Sequence, residues 1–301
     1  MADVKVLLFR TAGTNCDREL AHAFTQAGAQ VDALHINAIL KNPALLADYH
    51  ILGFPGGFSY GDDIASGKIF ANQLIHHLAA PLKQFIADGK MVVGICNGFQ
   101  ILVKSGLLPG PMPQLAPEDW HPATLTYNTC GSFVDRWVRI KSVSNICKWI
   151  PAGKTLWIPV AHGEGRFVTR DAAVLEALKA NDQLAFQYVD DAGGGGNPAT
   201  EFPANPNGSI ASIAGICDVT GRVLGLMPPS RAHRRRRQPP ALHPRPRRRP
   251  RRRPHHVRNR RRPHSQPANR CGLSRKPSTP TDCIRGFLLA HRGPTGRRIP
   301  C

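Results

Sequence analysis

Alternation of short apolar segments with segments of helical spacing predicts an α/β fold for this chain. Over the first hundred residues, apolar runs alternate with stretches that carry apolar residues three or four positions apart. This is typical of parallel strands joined by right-handed helical crossovers. Beyond Gly106 the apolar runs show partial two-residue alternation, which is typical of antiparallel strands. We therefore expect a mostly parallel sheet with helices on both faces and an added antiparallel section.

Seven elements are expected before Gly106. Runs of mostly apolar, partly β-branched residues predict strands, and helical spacing predicts helices. Glycine commonly ends a helix, so Gly28 and Gly106 mark two helix ends. The expected strands are Val4–Phe9, Val31–Ile36, Tyr49–Phe54 and Met91–Ile95, and the expected helices are Glu19–Ala27, Ile69–Ala87 and Gly98–Lys104.

The second half is expected to be richer in strands. A Gly/Asn/Pro-rich loop from Gly193 to Gly208 separates two of them. One short helix is expected at Ala172–Ala180, and the strands are Leu125–Asn128, Phe133–Ile140, Thr155–Val160, Leu184–Val189, Ile210–Ile216 and Val223–Met227.

Cys96 lies where the strand Met91–Ile95 meets the following helix, within Gly94-Ile-Cys-Asn-Gly98. This pattern predicts a nucleophile elbow, in which the two glycines leave room for a tight turn. The helix N-terminus directs N–H groups and its positive dipole end towards the sulfur, which lowers the thiol pKa. A buried structural cysteine is the alternative, and the full strand–turn–helix context favours the nucleophile.

Pro55-Gly-Gly-Phe58 directly follows the preceding strand. By itself a Gly-Gly pair predicts only a turn. The carboxyl ends of parallel strands share one edge of a sheet, so this turn is expected beside Cys96. The backbone N–H groups near Gly57 and of Asn97 are therefore candidates for an oxyanion hole.

Charge divides the chain at Pro228. Residues 1–228 carry 17 Lys and Arg against 19 Asp and Glu, whereas residues 229–301 carry 23 against 1. The net charge of +20 therefore comes from the basic tail, residues 229–301, and not from the rest of the protein. We find no secretory leader, no apolar run that could cross a bilayer and no Cys-x-x-Cys among the eight cysteines. These features predict a reduced cytoplasmic protein without a membrane partner or a metal site.

Four segments resemble one known family. They are residues 55–62 (Pro-Gly-Gly-Phe-Ser-Tyr-Gly-Asp), 94–100 (Gly-Ile-Cys-Asn-Gly-Phe-Gln), 162–167 (His-Gly-Glu-Gly-Arg-Phe) and 207–228, which ends in Gly-Arg-Val-Leu-Gly-Leu-Met-Pro. In this order they are similar to the class I glutamine amidotransferases that serve as subunits of phosphoribosylformylglycinamidine synthase. The resemblance covers about Lys5 to Pro228 and implies a flavodoxin-like α/β fold.

The resemblance also implies a chemistry. Cys96 would attack the side-chain carboxamide of glutamine, the backbone at Gly57 and Asn97 would hold the oxyanion, and Gly98 and Gln100 would help to bind substrate. Ammonia would leave, and water would release glutamate from the thioester. A separate synthetase subunit, using ATP and Mg, would take the ammonia to amidate formylglycinamide ribonucleotide in purine biosynthesis. A small third subunit would bridge the two, and this chain itself would need no cofactor.

Two catalytic residues of that family are missing. A cysteine hydrolase needs a base and a carboxylate that orients it, and the family carries them in Met-Pro-His-Pro-Glu-Arg. Here Met227-Pro228 continues as Pro-Ser-Arg-Ala. His162 and Glu164 have the same His-x-Glu spacing and are a candidate secondary dyad. The favoured alternative is a loop that positions substrate or partner, because geometry and not spacing defines a dyad.

The tail, residues 229–301, is rich in Arg, Pro and His without strand or helix periodicity, which predicts disorder. One extra base in the gene explains why the basic tail starts at Pro229. Pro229 to His233 can be encoded CCA TCC CGA GCG CAC, and removal of the first C gives CAT CCC GAG CGC, which encodes His-Pro-Glu-Arg. The tail is thus predicted to be out-of-frame translation, with His expected at position 229 and Glu at position 231.

A different class of function remains as the alternative. The chain would then be a catalytically inactive partner protein of the same fold. Its basic tail would be a genuine arm that binds nucleic acid non-specifically through phosphate contacts.

Overall fold

A computed structural model of the chain describes residues 4–112, 121–190 and 196–228. The predicted disordered tail, residues 229–301, lies outside the described residues. The strands are β1 (Lys5–Arg10), β2 (Gln30–His35), β3 (Ile51–Phe54), β4 (Met91–Ile95), β5 (Ala123–Thr126), β6 (Val134–Ser142), β7 (Thr155–His162), β8 (Arg166–Thr169), β9 (Leu184–Val189), β10 (Ile213–Cys217) and β11 (Val223–Leu226). The α-helices are α1 (Asp17–Gln26), α2 (Ile36–Lys41), α3 (Lys68–Gln73), α4 (Ala79–Ala87), α5 (Asn97–Lys104) and α6 (Ala172–Ala180).

A nine-stranded sheet runs in the order β2-β1-β3-β4-β11-β10-β9-β6-β7. Its first five strands are parallel, with the strand order typical of flavodoxin-like folds. The last four extend the same sheet from β11, and each of them is antiparallel to the strand before it in this order. β5 and β8 form a separate two-stranded antiparallel sheet. The predicted parallel sheet with an antiparallel addition is confirmed.

Helices cover both faces of the sheet, as predicted. Successive residues of β1 point to opposite faces, and Leu8 and Leu7 accordingly belong to different apolar clusters. The first cluster contains Leu20 and Phe24 of α1 together with Trp149. The second contains buried residues of the other five helices, which are Ile39, Phe70, Leu82, Phe99 and Leu178.

Two helical regions differ from the prediction. The expected helix Ile69–Ala87 is three segments, since a π-helical turn at Leu74–Leu78 separates α3 from α4. Pro81 explains the interruption, because a proline cannot donate to the carbonyl four residues earlier and its ring crowds that carbonyl. The helix α2 was not predicted; its N-cap is His35, whose Nδ1 accepts from the Asn37 N–H at 3.2 Å.

Three shorter elements also differ from the prediction. A 3₁₀ helix at Pro43–Asp48 was not predicted. Another, at Ile210–Ser212, occupies the start of the expected strand Ile210–Ile216, so that β10 begins only at Ile213. β8 was not predicted either: its first two residues belong to the His-Gly-Glu-Gly-Arg-Phe segment, for which no strand was expected, and its last two were given no element.

No helix within residues 4–112, 121–190 and 196–228 is both long enough and apolar enough to cross a membrane.

Candidate active site

Cys96 occupies the turn between β4 and α5 in a conformation that L-residues rarely adopt, with φ 54° and ψ −111°. The two flanking glycines permit this turn. A Cβ atom on Gly94 would lie 2.4 Å from the Gly98 carbonyl oxygen, and one on Gly98 would lie 1.9 Å from the Phe54 carbonyl oxygen. Any side chain at either position would therefore collide with backbone. The strand–turn–helix geometry of a nucleophile elbow is present.

A cavity of about 180 Å³ lies beside Cys96, and we call it the Cys96 cavity. Its wall brings together five of the predicted site residues, which are Gly57, Cys96, Gln100, His162 and Glu164. The other two, Asn97 and Gly98, are not among the described residues of its wall. Gly98 instead packs against β3, and Asn97 serves as the first residue of α5.

Gly57 is fixed by the loop that follows β1. Its φ is 144°, and a Cβ atom there would lie 2.5 Å from the Gly13 carbonyl oxygen. The neighbouring Phe58 N–H donates to Gly13 at 2.9 Å, and the Asn15 N–H donates to the Gly56 carbonyl at 3.3 Å. The Gly57 amide is thus the candidate oxyanion donor from this turn. The Asn97 amide is the second, because the first residue of a helix has no intrahelical acceptor.

Gln100 connects α5 to the segment that follows β7. Its Nε2 donates to the Glu164 carbonyl at 2.6 Å, while its Oε1 accepts from Asn97 Nδ2 at 3.0 Å. Asn97 Oδ1 in turn accepts from the Ser59 N–H at 3.3 Å. These bonds hold the His-Gly-Glu-Gly segment against the elbow.

His162 is a buried neutral imidazole. Asn128 Nδ2 donates to two carbonyls, those of Ser132 and His162, so its Oδ1 is the atom that faces His162 Nδ1 at 3.2 Å. Nδ1 must then donate, which leaves Nε2 with a lone pair and no partner among the described residues. Burial lowers the pKa of His162 to about 4. At neutral pH this ring therefore suits hydrogen-bond acceptance better than proton transfer.

The buried Lys104 ammonium pairs with Glu164 of the cavity wall and also interacts electrostatically with Asp62. The Ser66 hydroxyl donates to Asp62 at 2.9 Å, and the Ser66 N–H donates to Glu164 at 3.3 Å. Lys104 Nζ donates to the Ser66 carbonyl at 2.6 Å and lies 3.7 Å from Glu164. Burial raises the pKa of Asp62, and the nearby Glu164 charge adds to this shift. Burial lowers the pKa of Lys104.

Sequence reasoning missed several residues of the cavity wall. Two of them, Asn15 and Cys16, lie in the loop after β1, and the rule that parallel strands present their carboxyl ends at one edge could have indicated them. Asp62 and Ser66 follow the Pro-Gly-Gly turn, so the expected position of this turn beside the elbow could have indicated that they lie near Cys96. Phe133 comes from the start of the antiparallel section, and no sequence signal pointed to it.

No group of three or more His, Cys, Asp or Glu side chains that could hold a metal ion occurs within the part of the chain that the structure describes.

Comparisons with known proteins agree with one another. The model of the CobB/CobQ-like glutamine amidotransferase domain matches residues 3–256. The chain is 45% identical over 224 residues to the phosphoribosylformylglycinamidine synthase subunit PurQ of Methanococcus maripaludis, covering 74% of this chain and 81% of that protein. It is 41% identical over 229 residues to the subunit of the same name from Dehalococcoides mccartyi, covering 76% and 85%. The structure of PurLQS from Thermotoga maritima matches with a TM-score of 0.56 and 29% identity, covering 77% of this chain and 90% of that one.

Proposed function

Because the chain belongs to the CobB/CobQ-like glutamine amidotransferase family and the two relatives described above are PurQ subunits, we propose that it is the glutaminase subunit of a phosphoribosylformylglycinamidine synthase. One observation of its own structure supports this role most directly. The strained Cys96 lies at the carboxyl edge of the parallel sheet and lines a cavity together with Gly57 and Gln100.

The reaction begins with the thiolate of Cys96, which attacks the carbonyl carbon of the glutamine carboxamide. The new oxyanion accepts hydrogen bonds from the Gly57 and Asn97 amides. Collapse of this intermediate expels ammonia and leaves a γ-glutamyl thioester on Cys96. Water then attacks the thioester and releases glutamate, which restores the thiol.

Ammonia then passes to a partner. The similar structure from Thermotoga maritima is that of PurLQS, an assembly that contains a subunit of this kind. The synthetase partner uses ATP and Mg to amidate formylglycinamide ribonucleotide to formylglycinamidine ribonucleotide, and a small third subunit bridges the two. This subunit works in the cytoplasm and holds no cofactor of its own.

Proton transfer requires residues that the chain as written does not supply. The expected His and Glu positions, 229 and 231, carry Pro and Arg, and both lie outside the described residues. Loss of a triad partner costs several orders of magnitude in turnover. The chain as written is therefore expected to hydrolyse glutamine very poorly.

A glutaminase assay with and without the synthetase subunit tests this function. The base-deleted gene, which encodes His-Pro-Glu-Arg after Pro228, is expected to raise turnover by roughly three to four orders of magnitude. The same gene with Cys96→Ala should lose that gain. Unchanged turnover in the base-deleted protein would instead support the inactive partner with a genuine basic tail.

A further inference from the structure

We propose that a second cavity, distinct from that of Cys96, binds a phosphomonoester. It has a volume of about 450 Å³, against about 180 Å³ for the Cys96 cavity, and we call it the basic cavity. The described walls of the two cavities share no residue. Four residues of the basic cavity wall are Lys68, Lys104, His121 and Arg170, and no Asp or Glu is among its described wall residues.

The fold brings these four side chains together from separate segments. Lys68 is the first residue of α3 and Lys104 the last of α5, and the two helices pack against each other. Arg170 directly follows β8, and its N–H donates to the carbonyl of Pro122 at 2.8 Å, next to His121. The pairing of β5 with β8 thus places two basic residues opposite the two lysines of the helices.

The positive charges around the basic cavity lie close enough to repel one another. Burial lowers the pKa of Lys104 and the pKa of His121, and the charge of Lys68 adds to both shifts. Like charges at short range destabilise each other, most of all where water is partly excluded. A bound anion would relieve this repulsion.

Acidic side chains offset only part of this charge. Glu164 lies 3.7 Å from the Lys104 ammonium, and Asp171 accepts from Arg170 Nε at 2.9 Å. The Lys68 ammonium has neither an ion-pair partner nor a hydrogen-bond acceptor among the residues that the structure describes. The basic cavity therefore retains positive charge at Lys68.

The donors and the volume indicate the kind of anion. A phosphomonoester carries a charge of about −1.5 to −2 at pH 7 on three terminal oxygens, whereas a carboxylate carries one charge on two. Three oxygens suit donors that come from several directions, and the fork of the Arg170 guanidinium matches phosphate geometry. The cavity also exceeds a bare phosphate, because sites for whole small molecules measure roughly 300–1,000 Å³. Ala123 and Val168 of its wall offer apolar contact to the esterified group.

Protection of Lys68 from acetylation tests this site. The full chain is treated with N-hydroxysuccinimidyl acetate in the presence of glycerol 3-phosphate or of glycerol, at constant ionic strength because salt screens exposed charges. Mass spectrometry follows the acetylation of Lys68, and the exposed Lys83 reports on the reagent. Glycerol 3-phosphate at ten times its Kd is expected to slow acetylation of Lys68 about tenfold. Glycerol should leave it unchanged.

A variant locates the anion and a second probe identifies its source. Arg170→Gln should raise the concentration of glycerol 3-phosphate that gives half-protection of Lys68 about tenfold. Arg18→Gln is the matched control, because Arg18 is exposed on α1 and lies outside the described cavity wall. Inorganic phosphate should protect Lys68 only at concentrations several-fold higher than the ester, since it lacks the esterified group.

The outcomes are decisive without turnover, so they are independent of the glutaminase assay. Equal protection of Lys68 and Lys83 in the unaltered protein, or protection of neither, overturns the site even if the variant fails to fold. Unchanged half-protection in folded Arg170→Gln overturns its assignment to the basic cavity. Stronger protection by inorganic phosphate than by the ester overturns the ligand class.

Discussion

Cys96 is the residue at which backbone strain and chemistry coincide. Its positive φ is unfavourable for a non-glycine residue, by about 1 to 3 kcal/mol. The surrounding structure maintains it, because the Cys96 N–H donates to the Leu226 carbonyl at 2.8 Å and its carbonyl accepts from the Phe99 N–H at 2.9 Å. Strain that is held in place in this way is typical of functional positions.

We expect Cys96 to be the most reactive thiol of the native body towards an electrophile built on glutamine. Cys147 and Cys217 are buried, whereas Cys16 shares the cavity wall and Cys130 is exposed. Hydrogen bonds from Ser132 lower the pKa of Cys130, so this thiol is the strongest competitor for plain iodoacetamide. Peptide mapping after limited labelling measures the order. Preferential labelling of Cys16 or Cys130 by the glutamine analogue would contradict the assignment, and Cys130→Ser serves as the control.

His162 makes stability depend on pH in a defined direction. Its pKa is about 4 in the folded chain and about 6.5 in an unfolded one. Between these values the unfolded chain binds a proton that the folded chain does not, so the free energy of unfolding falls as pH falls. From pH 7 to pH 5 the loss from this one group is about 2 kcal/mol.

Urea unfolding of the native chain and of His162→Asn at both pH values measures this contribution. The variant keeps a donor to Asn128 and removes the titrating ring, so it should lack about 2 kcal/mol of the pH dependence. Identical pH dependence in the two proteins would show that His162 is protonated or solvated in the folded state.

At the scale of elements, the packing of α5 against β3 fixes the position of the elbow. α5 is buried along all eight of its residues, and its N-terminal turn packs directly on the Phe54 carbonyl. Glycine at position 98 is therefore a requirement of helix–strand packing. The same packing explains why Gly98 is outside the described wall of the cavity although it belongs to the nucleophile motif.

Gly98→Ala should destabilise the fold by about 2 to 3 kcal/mol, because the added methyl group collides with backbone that cannot move independently. Gly163→Ala is the matched control. A Cβ atom there would meet its nearest neighbour, Phe133, at 4.0 Å, so its cost should stay within about 0.5 kcal/mol. Chemical denaturation of both variants provides the comparison, and equal losses would show that α5 tolerates displacement.

At the scale of the whole molecule, the charge boundary coincides with the end of the last strand. β11 ends at Leu226, and Met227 lines the Cys96 cavity. The expected positions of the catalytic His and Glu, 229 and 231, follow this cavity-lining residue by two and four positions in the sequence. An evolved nucleic-acid arm would explain the charge of residues 229–301 but not the re-reading of their first codons as His-Pro-Glu-Arg.

Resequencing the gene across the codons for Leu226 to His233 decides between the two explanations. We expect one surplus base, whose removal places His at position 229 and Glu at position 231. Codons that cannot be re-read in this way would show that the tail is genuine and would favour the inactive partner.

The sequence by itself determined the features that a few consecutive residues encode. Gly94, Cys96 and Gly98 predicted the elbow because the two glycines and the turn they permit are neighbours in the chain. Alternating apolar runs predicted the strands and the mixed sheet for the same reason, since the periodicity of a segment is a local property.

Only the tertiary structure decided which distant groups meet at the nucleophile. Asn128 fixes the tautomer of His162 from 34 residues away in the sequence. Ser66 donates hydrogen bonds both to Asp62 and to Glu164, which is 98 residues further along the chain than Ser66. Lys104 approaches Glu164 from the far end of α5. The physical reason is that sheet order and loop paths, which no local pattern encodes, determine which side chains share a wall. Burial at that wall then sets their pKa values and leaves one acceptor without a partner.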